Sequence, residues 1–169
     1  MRERLRPRLV AAGWDYLLIA AWLAALAAVF VPLYLAGLYR PGALNPDVLI
    51  AAVSVLPVLA YLTLCEAGPR QATWGKRRAG LVVVTTGGKR PGAARIVLRN
   101  AVKLLPWQCA HMAVTRLTAD DTSASGMALL VATYALAGTY VVLLLTRRDR
   151  ATPYDLLTAT RVVPRTPTT

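Results

Sequence analysis

The sequence is poor in the residues from which most catalytic and metal sites are built. It holds one histidine, His111, and two cysteines, Cys65 and Cys109. Three such ligands are too few for a structural zinc site, and the cysteines form no C-x-x-C pair. Both cysteines fall within or beside apolar segments, where the residue packs as a small polarizable side chain. Serines are few and the single histidine lies in an apolar segment, so a serine–histidine–acid triad has no convincing setting. The Gly-Lys of "TWGKRRAG" lacks both the glycine five residues before Gly75 and the Ser or Thr after Lys76 that a phosphate-binding loop requires. The expectation is a protein that is not an enzyme and has no metal and no cofactor.

Charge is also scarce, over long stretches. Tyr16 to Tyr39, Val48 to Cys65 and Thr122 to Thr146 are runs of 24, 18 and 25 residues without a charged side chain. Each reaches the roughly 18 to 20 residues that a helix needs to cross a hydrocarbon core of about 30 Å. With 56% hydrophobic residues, the chain reads as a polytopic, all-α membrane protein. "MRERLRPR" has the basic character of a secretory leader, but the run behind it exceeds the ~7 to 15 residues of a leader's apolar core and is followed by further spans. It is expected to be an uncleaved first helix.

The 20 basic residues outnumber 8 acidic ones, and their placement explains the excess. If the N-terminal arm, residues 66–103 and residues 147–169 share one side, 18 of the 20 lie there and only Arg40 and Arg116 lie opposite, with Asp47, Asp120 and Asp121. By the positive-inside rule both termini are cytoplasmic, in a bacterial plasma membrane, and the basic segments attract anionic lipid headgroups. No basic motif of a nucleic-acid-binding module is present, which argues against nucleic acid as a partner.

Parity then demands a fourth crossing. Helices at 14–39, 47–65 and 124–146 alone would put "TRRDR" outside, so "LLPWQCAHMAVTRL" must also cross. It is short and carries Gln108 and His111, and is expected to be tilted, shielded by its neighbours or partly re-entrant. The expected order is a basic arm (1–13), a first span (14–39), a second (47–65), a cytoplasmic segment (66–103), a short third span (104–119), a fourth (124–146) and a cytoplasmic tail (147–169). Within 66–103 the β-branched run Leu81 to Thr85, followed by Gly87-Gly88 and Pro91-Gly92, predicts a short β-hairpin. An amphipathic helix is expected from Ala93, with Arg95, Arg99 and Lys103 on one face, as a cationic stripe snorkelling to phosphates.

Three pieces, in order, resemble the RDD family of small bacterial membrane proteins: Arg8 and Asp15 in "RLVAAGWD"; Gly75, Lys76, Gly80 and Asn100 in "TWGKRRAGLVVVTTGGKRPGAARIVLRN"; and "DRATPYDLLTATRVV", with Asp149 and Asp155. The resemblance covers nearly the whole chain. Two positions depart from it: Tyr154 stands where the family usually has histidine, and Ala159 where it usually has glycine. The first removes a proton carrier and the second a flexible backbone position. The resemblance implies transport of a small ion or solute, with cation/proton exchange the most concrete form. The alternative is a non-enzymatic accessory or scaffold subunit, in a homo-oligomer or a larger membrane complex, docking through small-residue faces such as "AAWLAALAA" and "ATYALAG".

Two roles fit the charged residues. In one, Asp15 pairs with Arg95, Arg99 or Lys103 and Asp155 pins the tail to "GKRR", and the contacts are structural. In the other, Asp15 is shared between a proton and a cation, tuned by Arg8 and Asp155. The 24 uncharged residues beyond Asp15 cover about 36 Å of helix, so the acid is expected near the cytoplasmic boundary, with Arg8 about 10 Å away along the axis.

Overall fold

The computed structural model describes residues 5–38, 45–119 and 124–165. Arg40, Asp120 and Asp121, counted above, lie outside the described residues. Helix α1 runs Leu5–Leu35, so most of the expected basic arm is already helical. The second apolar segment is α2 (Pro46–Ile50), a π-helical turn (Ala51–Val55) and α3 (Leu56–Ala67) in one continuous rod. Then follow a short α4 (Trp74–Arg78), strand β1 (Leu81–Thr85), α5 (Ala93–Thr118), α6 (Ala124–Thr146), α7 (Pro153–Leu157) and strand β2 (Thr160–Pro164). The helices Leu5–Leu35, Pro46–Ala67 and Ala124–Thr146 are long and apolar enough to cross a membrane.

Prolines shape these rods, and aromatic side chains repair what they break. Pro57 has no N–H for the Val53 carbonyl four residues back; that carbonyl instead accepts from Trp22 Nε1 of α1 at 3.1 Å. Pro106 likewise orphans the Val102 carbonyl, which accepts from the Tyr140 hydroxyl of α6 at 2.5 Å. Where no water reaches, an unpaired carbonyl costs several kcal/mol, so each proline fixes a neighbouring helix to its own.

Two expectations change. The strand at Leu81–Thr85 forms and turns at Gly88 (φ +78°), but it closes no local hairpin. Its partner is β2 of the tail, antiparallel, with Val83 opposite Val162. A two-stranded hairpin on its own is marginal in water; here the strand pair buries Leu81, Val83 and Val162 against Ala11 of α1 and Ile96 of α5. Secondly, the amphipathic helix and the short third span are one helix, α5. It lies antiparallel along the second segment, joined to it near one end by Arg99–Glu66 and near the other by Arg116–Asp47.

A second apolar cluster, Ile19, Val55, Val58, Leu62 and Leu104, lies among α1, α3 and α5. Helix α6 packs on α5 and buries Gly126 alone. The charged residues sit between the two apolar clusters.

Candidate functional site: a buried charge network

Helix α4 is five residues long and docks on α1 by close backbone approach. A Cβ on Gly75 would lie 2.2 Å from the Ala11 carbonyl oxygen and 2.8 Å from Asp15 Oδ1, so only glycine fits. The approach lets the Gly75 N–H donate to Asp15 Oδ1 at 2.9 Å. Beside it, Trp14 and Trp74 meet edge to face at 5.2 Å, and the Arg78 guanidinium lies 4.8 and 4.6 Å from their rings. These contacts hold the α1–α4 joint.

Asp15 is 5% exposed and is the first member of a chain of charges. Besides Gly75 it accepts from Thr73 Oγ1 at 2.6 Å and from the Tyr61 hydroxyl at 3.2 Å. Its nearest cation is Lys76, with Nζ 3.9 Å from Oδ2. Lys76 Nζ donates to Glu66 Oε1 at 2.8 Å, and Glu66 Oε2 accepts from Arg99 Nη1 at 2.7 Å. The other side of the Arg99 fork reaches Asp155 Oδ1, 2.9 Å from Nη2 and 3.2 Å from Nε. Asp155 Oδ2 accepts from the Thr152 backbone N–H at 3.3 Å, as in a capping box, and from the Thr152 hydroxyl at 2.7 Å, so the same carboxylate starts α7 and anchors it to α5. Glu66 is wholly buried, and Arg99 and Asp155 are each 1% exposed.

Both carboxylates are thus placed, with partners exchanged relative to expectation: the "GKRR" lysine faces Asp15, and Arg99 holds Asp155. Arg95, Arg99 and Lys103 make no snorkelling stripe. Arg95 is exposed, Arg99 is buried in the ion pairs, and Lys103 is half-buried with no carboxylate within 4 Å among the described residues. Arg8 makes no bond to Asp15; it donates to the Val162 carbonyl at 3.0 Å and to that of Arg150, tying α1 to the tail. Asp149 is exposed and paired with Arg147, whose guanidinium lowers its pKa to about 2.

Glu66, the hinge of the network, has no place in the sequence-based set. It is the single acid between Asp47 and Asp120, alone among nine basic residues of 66–103. That isolation is the signal by which it could have been found. Tyr61, Thr73, Thr152 and Thr160 supply neutral hydrogen bonds to the network and left no sequence signal.

The directly bonded set holds three carboxylates against two cations. Lys103 supplies a third cation nearby, and with Arg8, Asp15, Lys76 and Arg99 it lines a cavity of about 550 Å³. The same cavity is lined by apolar side chains, among them Val55, Leu62 and Trp107 and, from α6, Ala137 and Leu144. Among the described residues, no three His, Cys, Asp or Glu side chains come together as a metal site.

Residues 3–159 match the sequence profile of the RDD family. The chain belongs to the RDD family. Nothing among curated proteins or solved structures matches it. The two positions that depart from the RDD pattern have visible settings. Tyr154 lies over the Arg99 guanidinium at 5.0 Å and meets Tyr140 edge to face. Burial, with the nearby Asp155 charge, pushes its phenol up to about 12, so the ring is a neutral π-face for the arginine. Ala159 has φ +46°, the left-handed region that the usual RDD glycine occupies without strain. With apolar helices of spanning length, the chain is an RDD-family membrane protein.

Proposed function

We propose that this RDD protein moves a small ion or solute across the membrane, with exchange of a cation against a proton at Asp15 as its concrete form. The observation that carries the reading is a buried charge network facing a cavity that continues between apolar helices. Ionised side chains are costly at membrane depth and are kept where they pair or line a path. Asp15 fits the shared-carboxylate role best. Three neutral donors orient it, its nearest cation stands 3.9 Å off, and it lines the cavity. Glu66 and Asp155, clamped by direct ion pairs, act as the frame.

In this reading α5 is the fourth crossing. Helix α5 is 26 residues long, about 39 Å at 1.5 Å per residue, and bonds to the second segment near both ends, as a helix sharing its membrane depth would. Its polar side chains are shielded by that neighbour, and the basic excess supports cytoplasmic termini in a bacterial cell.

The test is proton and cation flux in proteoliposomes of wild type and Asp15→Asn, with sodium, lithium and potassium. Wild-type flux that Asp15→Asn abolishes is the expected result. No flux above empty liposomes for any of the three refutes transport. A second reading, an accessory subunit of a membrane complex, is favoured by α6, on which Met127, Val131, Tyr134, Val141, Val142 and Leu145 are exposed. Stoichiometric co-elution with a larger complex from native membranes would support it.

A further inference from the structure

Helix α5 carries a second polar feature, separate from the ion pairs. Asn100, Trp107, Gln108, His111 and Thr115 recur at i, i+7, i+8, i+11 and i+15, which puts them on one helical face together with Leu104. That face meets the second segment: Leu104 packs with Val55, Val58 and Leu62, and the Thr115 hydroxyl donates to Asp47 Oδ1 at 2.6 Å. Buried polar atoms along it have no hydrogen-bond partner among the described residues. They are both amide atoms of Asn100, which is wholly buried, Trp107 Nε1, Gln108 Oε1 and His111 Nδ1; Thr63 Oγ1 of α3 is unpartnered too.

An orphaned buried polar atom costs about 1 to 3 kcal/mol. Five residues with such atoms along one helix–helix contact are therefore a site, not scatter. The set mixes a donor (Trp107), an acceptor (Gln108) and groups able to do both, and none of its members carries a formal charge; Lys103, the one charged side chain between Arg99 and Arg116, lines the charge-network cavity. Such a lining suits a neutral molecule that both donates and accepts, which is water, and gives no counter-charge to an ion. The Trp107 and His111 rings meet edge to face at 5.4 Å, and His111 and Thr115 are about 6 Å apart along the axis, the reach of one bridging water. Asn100 and Trp107 are about 10 Å apart, and Leu104 with its apolar neighbours fills that interval. The Asp47–Arg116 pair at the far end is 22% and 31% exposed in its side chains, so that end is open. The π-turn of the second segment packs against α5 here, and such turns are frequent at functional sites.

We propose that the contact between the second segment and α5 is a hydrated half-channel. Water enters past Asp47 and Arg116 and reaches Gln108, His111 and Trp107, beside the cavity that Trp107 and Leu104 line together with Asp15 and Lys103. The proposal deepens the transport reading by giving protons a route from the face opposite Asp15, and it rests on α5 crossing the bilayer.

The experiment is thiol labelling in a background with Cys65→Ser and Cys109→Ser, using a membrane-impermeant, water-soluble methanethiosulfonate. Gln108→Cys and Thr115→Cys are expected to react at least about tenfold faster than Val131→Cys on the exposed face of α6, because the thiolate reacts and hydrocarbon keeps the thiol protonated. Rates for Gln108→Cys equal to that control overturn the half-channel. A second measurement needs no variant: His111 is the single histidine, so transfer of nuclear magnetisation from mobile water to its ring protons is readable in wild type. Transfer is expected, and its absence overturns the proposal. Labelling that succeeds while flux fails removes the transport reading and leaves the hydrated seam standing; the reverse removes the seam alone.

Discussion

Glu66→Gln isolates the energetics of the network, because it keeps the shape of the side chain and removes only its charge. In wild type, two cations share this one carboxylate, Lys76 at 2.8 Å and Arg99 at 2.7 Å. A glutamine offers a single oxygen and an NH₂, so one of the two cations must face a donor. Arg99 keeps Asp155 at 2.9 Å, whereas Lys76 is left with Asp15 at 3.9 Å. The uncompensated lysine sets the penalty. Removing one partner of a buried pair costs roughly 3 to 5 kcal/mol. For a domain of this size about 2 to 4 °C are lost per kcal/mol, so the melting temperature should fall by about 6 to 20 °C. The assay is thermal loss of helical circular dichroism in detergent micelles. Glu66→Met with Lys76→Met tests the cause: the double variant should cost about 1 to 3 kcal/mol less than the sum of the singles, since it removes both charges of one contact. A melting point for Glu66→Gln within about 2 °C of wild type, or an additive double variant, would refute the account.

Gly75→Ala should cost roughly 3 to 6 kcal/mol by the same assay, from overpacking against Ala11 and the lost N–H bond to Asp15; a wild-type melting point would mean that the α1–α4 approach is looser than described. Ala159→Gly relieves a left-handed alanine and should raise stability by about 0.5 to 1 kcal/mol after the extra chain entropy of glycine; destabilisation would count against that backbone conformation. The Tyr154 phenol, raised from 10.0 to about 12, holds its proton more tightly folded than unfolded. Its share of stability is therefore complete below pH 10.0 and is lost as pH rises towards 12; ultraviolet titration of wild type against Tyr154→Phe should show one phenolate missing from the late phase. Cysteines at Thr118 and Arg165 should label from opposite sides of the membrane if α5 crosses, and labelling from the same side would rule out four crossings.

The sequence reading was most reliable where one physical variable dominates. Length without charge located all three long apolar helices, and β-branched spacing located β1. The partner of β1 was illegible because a strand run specifies an edge to be filled and says nothing of which distant segment fills it. The pairing of Asp15 and Asp155 was likewise beyond the sequence: each acid needed a cation, and Lys76 and Arg99 were both available. Choosing between them took the close approach of α4 to α1 at Gly75, where no Cβ fits, a tertiary fact. Glu66 was overlooked because it terminates an apolar run and so reads as the edge of a span, when the packed helices make it the centre of the charges. The amphipathic helix and the third span are expected as separate elements that meet between Lys103 and Leu104, yet one helix continues through Pro106. Tyr140 of α6 takes over the orphaned carbonyl, a repair written 34 residues away.

The pairing of β1 with β2 has a consequence for how the protein comes into being. Thr160–Pro164 is made long after Leu81–Thr85, and Asp155 long after Arg99. While the ribosome is still producing α6, Arg99 has Glu66 but not Asp155, β1 has an open edge, and Arg8 lacks the Val162 carbonyl. The stretch translated after α6 is thus the latch that fastens α1, and a polypeptide released after α6 would carry all three long apolar helices described and still be unable to shut.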